Sequence, residues 1–232
     1  MFSDPTTKQG IIQDIDFLVD TDNNTYSLEN KTRNINRALD WVTGLIIGSD
    51  GDWQWDDTNY TNLPIGTANI TANQQDYSFA NEHLYINALE IKTPTGEWNT
   101  LDPIDLYKQN NGDITDFEKV TGTPKYYDKV GNSIFLYPTP NYTSTSALKA
   151  HSQRKAQPFL PNDTTKEPGF APHLHRYLSI SASYDWAVAK EHGKQGWLLQ
   201  EKTRYEQMIK DFYSKRSKDY KPRLIPARQN NK

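Results

Sequence analysis

The chain of 232 residues contains no cysteine and only two methionines. Disulfides, thiolate metal sites and cysteine nucleophiles are therefore excluded, and the redox compartment stays open. No stretch approaches the roughly 18 to 20 apolar residues of a membrane span, so no membrane partner is expected. The start, Met1-Phe2-Ser3-Asp4-Pro5, lacks the basic region and apolar run of a signal peptide. The expectation is a protein made and assembled in the cytoplasm. Sequons at Asn23, Asn30, Asn59, Asn69, Asn141 and Asn162 then reflect Asn/Thr-rich composition and not glycosylation. No G-x-S-x-G, Walker A loop, dinucleotide glycine pattern or H-E-x-x-H is present, and no cofactor is implied. Hydrophobic residues are scarce at 35%, with a mean hydropathy of -0.86.

Aromatic residues, by contrast, reach 12%, with 14 Tyr, 8 Phe and 6 Trp. Disordered chains are poor in aromatics, so this polarity does not mean disorder. It points to a thin core under a large polar surface, as in a subunit of an assembly. The net charge of -3 hides an asymmetry. Residues 1–60 hold eleven acids and four bases, a net of -7. Residues 215–232 hold seven bases against Asp219, a net of +6. Such a basic end reads as an interaction arm for nucleic acid or an acidic protein surface.

The order of elements is helix, strand, helix. Ile11, Ile12, Ile15, Leu18 and Val19 recur at helical spacing. Asp20-Thr21-Asp22-Asn23-Asn24 breaks that helix, and Ser27 is placed to cap a second one. Ile35, Leu39, Val42 and Ile46 share one face of it, widened by Ala38, Trp41 and Leu45, with a stop at Gly48. From Asp52 to Pro158, prolines and glycines punctuate short runs such as Leu84 to Ile91 and Ile134 to Tyr137, which read as strands. Pro94-Thr95-Gly96-Glu97 and Val130-Gly131-Asn132-Ser133 read as hairpin turns. Pro172 suits a helix first turn. Leu174, Leu178, Ala182, Trp186 and Ala189 form the stripe of a third helix, stopped by Gly193 and Gly196. Leu198, Tyr205, Met208, Ile209 and Phe212 form the apolar side of a fourth, from about Trp197 to Ser217. The fold class expected is α+β. A helical bundle forms from residues 1–51 and 168–217, a small antiparallel sandwich or barrel is inserted over 52–158, and an extended basic arm covers 218–232.

Candidate chemistry is sparse. Asp20, Asp22 and Asn24 occupy positions one, three and five of a calcium loop, but Thr25 replaces the needed glycine and Lys31 the bidentate glutamate. Asp50, Asp52, Asp56 and Asp57 read as a solvated acidic loop more readily than as a cation site. His173 and His175 lie two apart in a helix and so point in different directions. Trp53-Gln54-Trp55 is either an aromatic platform for a sugar or partner, or the anchor that opens the first strand. The second reading is preferred.

One run of segments carries a resemblance. Asn132-Ser133-Ile134-Phe135-Leu136-Tyr137-Pro138-Thr139-Pro140 is a strand ending in a proline-locked bend. A strand from Ala147 to Ser152 follows, then Arg154, then Glu167-Pro168-Gly169-Phe170 and a helix with His173 and Tyr177. Upstream lie Arg33-Asn34-Ile35-Asn36-Arg37-Ala38-Leu39, the Trp53-Gln54-Trp55 string, and Asp76-Tyr77-Ser78-Phe79 before Leu84 to Ile91. This order, over about residues 10–215, resembles the head-to-tail adaptor (connector) proteins of tailed bacteriophages, especially short-tailed ones. The long Asn/Thr-rich connections depart from that pattern.

The resemblance implies a structural, non-enzymatic virion protein of the neck. It implies a homo-oligomeric ring, commonly of twelve subunits, bound to the portal and to tail or nozzle proteins, with viral double-stranded DNA passing through the lumen. The arm residues Lys215, Arg216, Lys218, Lys221, Arg223 and Arg228 would dock on the portal. Asp50, Asp52, Asp56 and Asp57 would line the channel, and Trp53, Trp55 and Tyr137 would lie at interfaces. Two rivals are a nucleic-acid-binding module using the basic end, and a carbohydrate-binding or hydrolysing tail component built on the Trp/Tyr-rich strands.

Overall fold

A computed structural model describes residues 1–49, 59, 65–79, 83–104 and 119–216, to which every structural statement below refers. The fold is mixed α+β, with four α-helices and a large, nearly closed, barrel-like sheet. Two compact units divide the chain. One gathers the residues up to Ser49, Phe159–Thr165 and those from Ala171 onward. The other gathers Asn59 to Pro158 with Lys166–Phe170.

In the helical unit, α1 (Ile11–Val19) buries Ile11, Ile12, Ile15, Leu18 and Val19, the stripe its spacing dictates. It ends where Asp20 takes a left-handed φ of 54°, a conformation aspartate tolerates better than most residues. The Asp22 carboxylate then accepts the backbone N–H groups of Asn24 and Thr25 at 2.9 and 2.8 Å and fixes the turn. The second helix, α2 (Leu28–Ser49), is entered at Ser27, whose hydroxyl accepts the Asn30 N–H at a long 3.4 Å. Ile35, Ala38, Leu39, Val42 and Ile46 are buried on it, whereas Trp41 turns out to solvent.

Pro172 opens a 3-10 turn (Pro172–Leu174) ahead of α3 (Arg176–Ala189). Tyr177 to Ser183 are all buried, because α3 packs against α1, α2 and the last helix, α4 (Gln195–Arg216). Ser179, Ser181, Ala182 and Ser183 are small enough to let three neighbours approach. The expected stops at Gly193 and Gly196 are displaced. Glu191 already takes a left-handed φ of 51°, and Gly196 lies inside α4. On α4 only Leu198, Tyr205, Ile209 and Tyr213 are buried, a narrow stripe, and Met208 is exposed.

The other unit holds β1 (Ile65–Ile70), β2 (Asp76–Ser78), β3 (His83–Lys92), β4 (Trp98–Pro103), β5 (Thr121–Gly122), β6 (Tyr126–Val130), β7 (Ser133–Tyr137), β8 (Thr139–Pro140) and β9 (Ser144–Arg154). Seven form one sheet in the order β1-β9-β3-β4-β6-β7-β2, and β5 pairs with β8. Gly96 (φ 93°) and Gly131 (φ 60°) supply the turns of the β3–β4 and β6–β7 hairpins. The purely antiparallel arrangement expected from the turns is not what forms. β4 and β6 pair in parallel, as do β5 and β8. The chain between Pro103 and Tyr126 is long enough for a crossover, which a parallel pair needs. Ile70, Tyr77, Leu89, Ile91, Leu101, Ile134, Leu136 and Leu148 fill the interior. The first and last strands of the sheet, β1 and β2, are consecutive in the chain. They leave an apolar cleft of about 180 Å³ lined by Ala68, Tyr77, Phe79, Ile134 and Leu148.

Candidate functional site

Few of the anticipated site residues fall among those described. Asp50, Asp52, Trp53, Trp55, Asp56, Asp57, Lys218, Lys221, Arg223 and Arg228 lie outside the described residues. Lys215 and Arg216 form the end of α4, with Lys215 exposed. Tyr137 closes β7 before a cis peptide to Pro138 and is only 3% exposed.

The histidines do not converge. His173 sets its ring edge-on to Phe212 at 4.9 Å. His151 pairs with Glu90 at 3.3 Å. His192 lies 5.6 Å from the Trp186 ring, and its Nδ1 accepts the Lys194 N–H. Among the described residues no three His, Asp or Glu side chains are grouped to hold a metal ion.

The helical unit instead concentrates its polar chemistry in three internal pins. The first is Glu206 on α4, whose Oε1 accepts from Trp41 Nε1 on α2 and from the Tyr177 hydroxyl on α3, both at 3.0 Å. One carboxylate oxygen therefore ties three helices. Burial, reinforced by the Glu206 charge, drives the Tyr177 hydroxyl far above the usual phenol range. Nearby, Tyr26 donates to the Ala182 carbonyl and accepts from Asn34 Nδ2 at 2.7 Å, and burial pushes it up to about 12. Burial also raises the Asp185 carboxyl, against the pull of Lys202 and Arg37.

The second pin is Lys31, a wholly buried side chain whose Nζ lies 2.6 Å from Asp16 Oδ1 and 3.0 Å from Asn23 Oδ1. The residue that disqualifies the Asp20–Asn24 turn as a calcium loop thus sets its own positive charge against that turn. The third is Asn36, which donates to the Phe159 carbonyl at 2.9 Å and accepts the Phe159 N–H at 2.8 Å. It stands in for a neighbouring strand. The Phe159 ring, stacked on Phe2 at 4.7 Å, is thereby held in the helical core. None of the pins was singled out by sequence pattern. A lone polar residue on a helix face reads as solvated until its partners, here up to 165 residues away, are known.

Large apolar side chains also remain on the outer surface of the same unit. Phe17 on α1 is 81% exposed, Trp41 on α2 57%, and Trp197, Leu199 and Met208 on α4 are each exposed by more than two fifths. On the strand unit, Trp98 and Tyr126 flank a groove with Thr100 and Lys125, and Lys149 Nζ sits 3.7 Å from the Trp98 ring centre. The arrangement offers binding surfaces, and its three pins hold the helices together. No family model matches the chain, and no curated protein matches it.

Proposed function

We propose that the chain is a structural subunit of a phage neck. It forms a ring of about a dozen copies that joins the portal to the tail and lets the DNA genome pass. The observation that carries this reading is the exposed apolar side chains on three helices of a unit with a thin core. Exposed apolar groups in such numbers mark surfaces that a partner covers. The sequence order supports it too. Helices from both chain ends form the bundle, the strand-rich segment is an insertion between them, and a basic arm follows the last helix. In this reading the arm from Lys215 to Lys232 docks on the portal, and the acids around Asp50 to Asp57 repel DNA so that it slides.

The test is electron microscopy of the purified protein alone and with portal. Rings are expected, and removal of Lys215 to Lys232 is expected to abolish docking on portal but leave the fold intact. Unchanged docking by the truncated protein refutes the role of the arm. The carbohydrate reading would use the groove beside Trp98 and Tyr126. Lys149 already covers one face of Trp98, which leaves less of the ring for a sugar to stack on.

A further inference from the structure

We infer that Phe17 of one copy seats in the groove between the C-terminal halves of α2 and α4 on a second copy. The inference rests on the ring reading above and names the contact that would build the ring. Phe17 is the knob. It is 81% exposed, with Asp14 three residues before it on the same face of α1, 3.9 Å from Arg176, and Asp20 just past the end of the helix. The socket measures about 510 Å³ and is lined by Gly44, Leu45, Gly48 and Ser49 from α2 and by Lys210, Asp211 and Ser214 from α4.

Two features make this groove more than a chance hollow. Gly44 and Gly48 are four apart and share one face, and a Cβ added to either would meet nothing within 4 Å. Glycine inside a helix is less stable than alanine, and no neighbour among the described residues requires it at these places. Bare backbone there lets an outside ring come close.

The charges also match. Residues 11–30 carry five acids and no base, whereas residues 202–216 carry five bases and two acids. Lys210 is exposed in the groove and Lys215 is exposed just beyond it, while the Asp211 carboxylate in the groove accepts from Gln207 Nε2 at 2.9 Å. An acidic collar around Phe17 would thus meet a basic rim.

Knob and socket are separate patches. The Lys194 ammonium, just ahead of α4, donates to the Leu18 carbonyl at 2.8 Å, so α4 begins beside the end of α1. Ser214 then lies roughly 28 Å farther along the axis, at 1.5 Å per residue. A contact between two different patches is head-to-tail, and it closes into a ring where the rotation permits.

The absence of cysteine makes the test clean. D14C, which keeps the Phe17 ring, and either K210C or S214C are purified separately, mixed and mildly oxidised. A disulfide-linked pair is expected in each mixture and in none of the single variants alone, because a disulfide needs Cβ atoms about 4 Å apart. In parallel, F17S and G48L are expected to require about tenfold more protein to assemble. Their circular dichroism melts should not fall below wild type, since both positions are exposed and glycine is the weaker helix former. Assembly should also weaken in roughly 0.5 M salt, where charge attraction is screened. Rings formed equally well by F17S and G48L, without cross-links in the mixtures, overturn this contact and leave the ring reading standing. A wild-type protein that stays monomeric at every concentration and on portal overturns both.

Discussion

Replacing Asp16 should destabilise the helical unit far more than replacing Lys31, although the two form one ion pair. The reason is unequal burial. The Lys31 side chain is 0% exposed and that of Asp16 is 28% exposed. With Asp16→Ala, the ammonium loses its charged partner where water cannot reach it, retaining only Asn23 and the face of Tyr26, 5.8 Å away. Breaking a buried pair in this way costs about 3–5 kcal/mol. With Lys31→Met, a side chain of similar length fills the space. The Asp16 carboxylate keeps its hydrogen bond from Thr21 Oγ1 at 3.0 Å and its access to water. An apolar replacement of that kind costs about 0–2 kcal/mol. At about 2–4 °C per kcal/mol for a chain of this size, Asp16→Ala should lower Tm by about 6–20 °C. Thermal and urea melts followed by circular dichroism at 222 nm, which reports the helices, measure both variants. A Lys31→Met protein as destabilised as Asp16→Ala would refute the burial argument. The pair also matters for assembly, because it fixes the helix that presents Phe17.

Three further outcomes are expected. Glu206→Ala strands the Trp41 and Tyr177 donors, of which the Tyr177 side chain is wholly buried, and should cost about 2–3 kcal/mol in urea melts. Glu206→Gln keeps an acceptor oxygen and should cost less than half of that. Asn36→Ala removes both of its hydrogen bonds to the Phe159 backbone and should cost about 2 kcal/mol, with the segment around Phe159 becoming more accessible to protease. Asp185 sets a pH dependence, since its folded carboxyl is raised above the ordinary 3.8 by burial. The stabilising contribution of its protonated form is complete below that value and is lost as pH rises through the raised one. Asp185→Asn should therefore flatten the stability profile above about pH 4. The lowered carboxyls of Asp4 and Asp22 act in the opposite sense, and their contribution disappears as pH falls below the ordinary range.

Helical spacing located all four helices to within a few residues, because one face of each must be apolar to be buried. Turn chemistry located both hairpins, because glycine adopts a φ of 60–93° with the least strain. Periodicity misplaced Trp41 and Met208, however. It shows that a residue borders an apolar face but not how wide the covered face is. On α4 the covered face is one residue per turn, which leaves Met208 outside. The parallel pairing of β4 and β6 was equally hidden, since a long connection allows either direction. Glycines 193 and 196 misled for a local reason. The α3 helix ended first, through the left-handed Glu191.

By itself, then, the sequence determined the helix–strand–helix order, the stripes that go inside and the split of charge between the two ends. These depend on neighbours within a few residues. Only the tertiary structure decided which polar residues are spent as pins and which apolar ones are left over. Lys31, Asn36 and Glu206 look like surface residues until Asp16, Phe159 and Tyr177 are brought to them. Phe17, outside the stripe of α1, stays exposed because α3 covers the other side of its helix. Burial belongs to pairs of elements, and no single segment carries it alone.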